Sequence, residues 1–213
     1  MSKVKKTLKF ILPLVALLII TGCGTKSEVA MFTLLNDQIM NQNKCSTNNQ
    51  QLTNLLAQET DIYNQIIEKG TNSFEDVSGV VEQGKENIEA SKEILNDYDV
   101  CIQSALVDEA KLSKNIEGIK DEKIKDEAIL LTEQYRVYET SLVQYVKSLI
   151  KLNDSQGEFY NGINESTSIQ TLEELVTTIN STIDEANQAS ENHREALVKF
   201  NELYSTYYDT YIK

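Results

Sequence analysis

The feature that most constrains this chain is an apolar repeat spaced alternately three and four residues apart and held over long stretches. Side chains so spaced share one stripe of an α-helix. A seven-residue repeat kept for many turns also winds helices into a left-handed supercoil. Ile124, Ala128, Leu131, Tyr135, Tyr138, Leu142, Tyr145, Leu149, Leu152, Gln156, Phe159 and Ile163 keep the spacing without a slip, and only Gln156 is polar. Apolar residues make up 40% of the chain, so a chance stripe of this length would hold only about five. A second unbroken stripe runs from Leu172 through Val176, Ile179, Ile183, Ala186, Ser190, His193, Leu197, Phe200, Tyr204 and Tyr207 to Tyr211.

Two weaker stripes precede these. One runs from Val77 through Val81, Gly84, Ile88, Ser91, Leu95, Tyr98, Ile102, Ala105, Glu109, Leu112 and Ile116 to Ile119. The other runs from Met31 to Ile66 and carries Gln38, Gln42, Asn49 and Glu59 in its seam, which predicts fraying near residues 28–50. Turn chemistry divides the four. Gly70, then Ser73 with Asp76, mark one boundary, and Gly118 with Asp121 and Glu122 mark the next. Asn161–Ser168 reads as a loop, with Thr171 and Glu174 as a capping box opening the last helix. Helices of about 40 residues joined by short turns predict an all-α fold, an elongated antiparallel four-helix bundle resembling a coiled coil, over residues 28–213.

Composition supports helices and narrows function. Eight glycines, one proline and no tryptophan in 213 residues disfavour sandwiches, barrels and Gly-rich-loop enzymes. A formal charge of -13 gives no electrostatic reason to approach nucleic acid.

Residues 1–22 read as an address. Lys3, Lys5, Lys6 and Lys9 precede an apolar run from Phe10 to Ile20, too short to span a bilayer. The ending Ile20-Thr21-Gly22-Cys23 resembles a lipobox, in which signal peptidase recognises the first three residues and Cys23 receives a diacylglycerol and becomes the new N-terminus. Residues 23–27 are then a lipidated tether, and palmitate-like acyl chains hold the protein on the outer face of the cytoplasmic membrane, facing the wall. Removal of the leader takes four lysines and no acids. Sixteen basic and 33 acidic residues remain, a charge of -17.

Ile62-Tyr63-Asn64-Gln65-Ile66-Ile67-Glu68-Lys69-Gly70, the turn from Ile119 to Lys125, Thr171-Leu172-Glu173-Glu174-Leu175 and Phe200-Asn201-Glu202-Leu203-Tyr204 resemble the YkyA-like "putative cell-wall-binding lipoproteins" of Gram-positive bacteria. The resemblance covers nearly all of the chain beyond the leader. It implies a helical extracytoplasmic lipoprotein and brings no catalytic residues.

The remaining chemistry is sparse. Cys45 and Cys101, in an exported chain, are either a disulfide across facing antiparallel helices or two small apolar residues at helix contacts. His193 is the sole histidine and sits in a seam, so neither a di-iron site nor a nucleophilic triad can be assembled. Most tyrosines fill the seam. Tyr208 lies off it, near the lipid headgroups in the expected topology, whereas Phe74 and Tyr160 lie near the far loops as candidate tip contacts. The acidic face of Glu82, Glu86, Glu89 and Glu93 is a solvated surface. No cofactor, metal or small-molecule substrate is expected beyond the covalent lipid. The sequence thus predicts a non-enzymatic lipoprotein contacting the cell wall, or alternatively a protein-interaction lipoprotein with an envelope protein as partner, in phage or toxin exclusion or as an accessory subunit.

Overall fold

The computed structural model of the chain describes residues 26–69 and 75–213. The expected leader with Ile20, Thr21 and Gly22, the expected lipidation site Cys23, and Gly70, Ser73 and Phe74 lie outside the described residues. The described residues form helices α1 (Ser27–Lys44), α2 (Asn49–Lys69), α3 (Ser78–Ser104), α4 (Glu109–Glu117), α5 (Glu122–Gly162) and α6 (Ile169–Tyr207), with no strand among them. A 3-10 turn, Cys45–Asn48, links α1 to α2, and a π turn, Tyr208–Ile212, follows α6. The all-α reading holds.

The stripes read from the sequence are buried. Along α5 every seam position from Ala128 to Phe159 is buried, Gln156 included, and along α6 every one from Val176 to Tyr207. Two of the four expected helices are nevertheless interrupted. The first changes to 3-10 geometry in a Cys-Ser-Thr-Asn run, where the Ser46 hydroxyl takes the carbonyl of Asn43 and competes with the helical ladder. The second stops at Ser104 and restarts at Glu109, with no glycine or proline between. There the Ser104 hydroxyl takes the Cys101 carbonyl, and Asp108 caps α4 by accepting from the Lys111 amide at 3.1 Å.

Other boundaries shift for similar reasons. The cap of α6 is Ser168 rather than Thr171: Ser168 Oγ accepts from the Thr171 amide at 3.1 Å, and Glu174 instead takes the Gln170 side chain. Asp121 does cap α5, accepting from the Ile124 amide at 3.1 Å. Residues 28–44 are regular helix despite the polar seam, because Met31, Phe32, Leu35 and Ile39 form a fully buried apolar stripe of their own.

The described residues form two compact units. The first comprises 48–69, 75–99 and 144–190, and the second 26–47, 100–143 and 191–213. In the first, Tyr63, Leu95, Leu149, Phe159 and Ile179 lie in one core. Its α5 and α6 segments run antiparallel, as Ser155 meets Thr182 at 2.8 Å and Lys151 meets Glu185 at 2.5 Å. In the second, aromatic rings carry much of the core: Tyr135 and Tyr138 lie 5.2 and 5.5 Å from Phe200, which in turn lies 5.4 Å from Tyr204. Each pair adds about 0.5–1.5 kcal/mol beyond its buried area.

Candidate functional site

Among the described residues two carboxylates are buried, one in each unit, and both sit among donors. In the first unit Glu59 of α2 is 2% exposed. Its Oε1 accepts from the Tyr160 hydroxyl at 2.7 Å and its Oε2 from Asn87 Nδ2 at 3.2 Å, while the same Asn87 amide also donates to the Leu55 carbonyl. Burial pushes the Glu59 carboxyl up from 4.5 to about 7, against the two hydrogen bonds that favour its charged form. The ring of Tyr160 reaches Glu59 by lying flat on α3 at Gly84, where an added Cβ would stand 2.2 Å from Tyr160 Cε1. Glycine at this helical position is therefore a steric requirement.

Tyr160 is accordingly not a tip contact. Its side chain is fully buried and its hydroxyl is committed to Glu59. Sequence reasoning placed it by its closeness to the loop after Gly162, yet Phe159 and Tyr160 are both core residues, 5.3 Å apart edge to face.

In the second unit Glu139 of α5 plays the corresponding part. Its Oε1 accepts from Gln42 Nε2 at 2.8 Å and from the backbone amide of Val107 at 3.0 Å. The Gln42 amide also reaches the Tyr135 hydroxyl at 3.1 Å and the Ala105 carbonyl at 3.3 Å. Burial again raises the carboxyl to about 7, opposed by hydrogen bonds from Tyr135, Val107 and Gln42. The amide and carbonyl released where α3 stops are thus taken up by side chains of α5 and α1. Nearby in sequence, Cys45 and Cys101 are joined by a disulfide, with Cα atoms 5.6 Å apart and a sequence separation of 56. That bond ties the 3-10 turn to the last turns of α3.

His193 is fully buried beside Tyr138, with ring centroids 5.4 Å apart, and its Nδ1 lies 3.1 Å from Ser141 Oγ. The Ser141 hydroxyl has one proton and gives it to the Tyr138 carbonyl at 2.7 Å. Nδ1 is therefore the protonated nitrogen in this arrangement. Burial lowers the imidazole to about 4, keeping it neutral. Such a serine is an acceptor for the imidazole, the reverse of the polarity a nucleophile requires.

Most other expected residues stay where the spacing put them. Tyr135, Tyr138, Tyr145, Tyr204 and Tyr207 are buried, Tyr208 and Tyr211 are half-buried, and Glu82, Glu86, Glu89 and Glu93 are exposed. The buried networks were the part missed. Gln42 and Glu59 stood out as polar seam residues and were read only as weak points; Glu139, one residue beside the seam, carried no signal. Chemically these networks can hold protons and fix helix register, but they present no surface to a polymer.

Among the described residues no helix is long and apolar enough to cross a membrane. No curated protein and no solved structure matches the chain. The family model YkyA, described as "Putative cell-wall binding lipoprotein", matches residues 26–210. With α1 through α6 all inside that match, the chain belongs to the YkyA family.

Proposed function

We propose that the protein is a non-enzymatic lipoprotein, held on the outer face of the cytoplasmic membrane by a diacylglycerol on Cys23, whose helical part contacts the cell wall. The family match over residues 26–210 is the observation that carries this reading. The Ile20-Thr21-Gly22-Cys23 ending supports the anchor, and residues 23–26 leave only a short tether before α1. Charge shapes the mode of contact. A chain of -17 beyond the leader is repelled by polyanionic wall polymers outside a screening length of about 8–10 Å, so the contact is peptide-directed or bridged by divalent cations.

Sedimentation of the purified mature protein with isolated walls, across salt and calcium concentrations, tests the wall contact. Co-sedimentation is expected; a protein left in the supernatant under every condition removes it. The same acid excess favours a second reading, in which the partner is an envelope protein. Cross-linking in intact cells that captures one dominant membrane protein, with no wall sedimentation, selects that reading.

A further inference from the structure

The end of the second unit where α1 begins gathers three distant parts of the chain. Ser27 Oγ lies 2.4 Å from where a Cβ on Gly118 would stand, which places the start of α1 against the turn before α5. Phe32, one turn further along α1, has the rings of Tyr204 and Tyr208 at 4.5 and 5.7 Å. The ring of Tyr211 lies 5.1 Å from that of Tyr207, and Glu127 on the first turns of α5 is close enough to raise the Tyr211 hydroxyl. Tyr208, Tyr211 and Ile212 remain half-buried there.

We infer that this end, formed by the start of α1, the 118–125 turn and the Tyr208–Ile212 π turn, is a docking surface for the bilayer interface. The inference rests on the anchor at Cys23. Ser27 stands four positions after Cys23, and at 3.3–3.6 Å per step the two are at most about 14 Å apart. An acylated Cys23 therefore holds this end within reach of the headgroups whatever the tether does. Half-covered Tyr208, with an apolar body and a polar tip, and the half-covered Ile212 near it are side chains suited to that layer.

Charge agrees. Over 26–28, 111–127 and 208–213, seven lysines meet seven acids, so this end is neutral. The remainder of the chain beyond the leader holds nine basic and 26 acidic residues, which is the entire excess of -17. An anionic bilayer repels the remainder and not this end. Lys26, Lys114, Lys120 and Lys123 are exposed and their long stems can carry ammonium groups to phosphates. The contact need not be strong alone, because a short tether supplies a millimolar effective concentration.

The chain has no tryptophan, so Tyr208→Trp introduces a single reporter. With Cys45 and Cys101 bonded to each other, Cys23 is the thiol left for coupling the mature chain to a maleimide lipid. In vesicles of phosphatidylcholine and phosphatidylglycerol, lipids brominated near the headgroup end should quench this reporter about twofold. A reporter from Val137→Trp should be unaffected: that position is 53% exposed and stands roughly 18 Å along α5 from Lys125. The double change Lys120→Glu, Lys123→Glu should lower the quenching on these vesicles, with partial recovery in high salt. Ile212→Trp gives the same readout should the Tyr208 change disturb the packing on Phe32. Absent quenching at both Tyr208→Trp and Ile212→Trp, or equal quenching at Val137→Trp, overturns the docking surface. Coupling through the thiol bypasses acylation in the cell, so that failure leaves the anchor standing, whereas a Cys23 that takes up no labelled palmitate in cells removes the anchor instead.

Discussion

Burial lifts Glu59 and Glu139 from 4.5 to about 7, so the folded chain binds their protons more tightly than the unfolded one does. A group raised in this way contributes stability that is complete below its unfolded value and is lost as pH rises through its folded value. Each carboxyl should therefore withdraw about 3 kcal/mol between pH 4.5 and 7. His193 has the opposite sign: lowered to about 4, it withdraws stability as pH falls below its ordinary value of 6.5. Urea unfolding across pH 4.5–7.5 should show Glu59→Gln losing less stability than the parent as pH rises, by about the share of one group. A parallel pair of curves would mean that Glu59 does not titrate in this window. Glycine gives a second test. Gly84→Ala drives a Cβ into the Tyr160 ring and should destabilise by about 1–3 kcal/mol, although alanine is the better helix former. Gly79→Ala, with nothing within 4 Å of its added Cβ, should instead stabilise by up to about 1 kcal/mol. Thermal unfolding of the two variants should move in opposite directions.

At the scale of elements, the long helices were legible because their signal is periodic and local. The α5 and α6 stripes are buried at the positions the spacing named. The break between α3 and α4 was not legible, because its causes lie far away in sequence. Glu139 takes the Val107 amide 32 residues off and Gln42 reaches the Ala105 carbonyl 63 residues off, while neither glycine nor proline marks the spot. The Ser168 cap was missed for a plainer reason: Thr171 and Glu174 fit the capping pattern equally well, three residues late. Replacing Glu139 by alanine should leave the Val107 amide and the Gln42 side chain without their carboxyl acceptor. The expected cost is about 3 kcal/mol, with faster hydrogen exchange at Val107 as the local readout. Reduction of the Cys45–Cys101 bond releases a closed segment whose ends are 56 positions apart in sequence. In the chain-entropy model this lowers stability by about 4 kcal/mol, measurable as a shift of the urea midpoint with and without reductant.

For the molecule as a whole, the sequence conveyed its class and its expected address, while the buried polar networks became visible only in three dimensions. That division has a physical basis. A signal segment and a heptad are read one stretch at a time, whereas a satisfied buried carboxylate is defined by residues from several helices at once. The address is tested by Cys23→Ala, which should abolish palmitate incorporation and move the protein from the membrane fraction to the medium. Retention of the variant in the membrane at the parent level would show that something other than the acyl chains holds it.

The disulfide also bears on that address. Under the proposed export and acylation, three thiols leaving a reducing compartment can pair in three ways, and two of those ways would occupy Cys23 and forfeit the proposed lipid. Joining Cys45 to Cys101 is the one pairing that keeps sulfur available at the head of the chain. Oxidation and the proposed acylation are then compatible in either order, and a mispaired molecule would forfeit the proposed anchor as well as misfold.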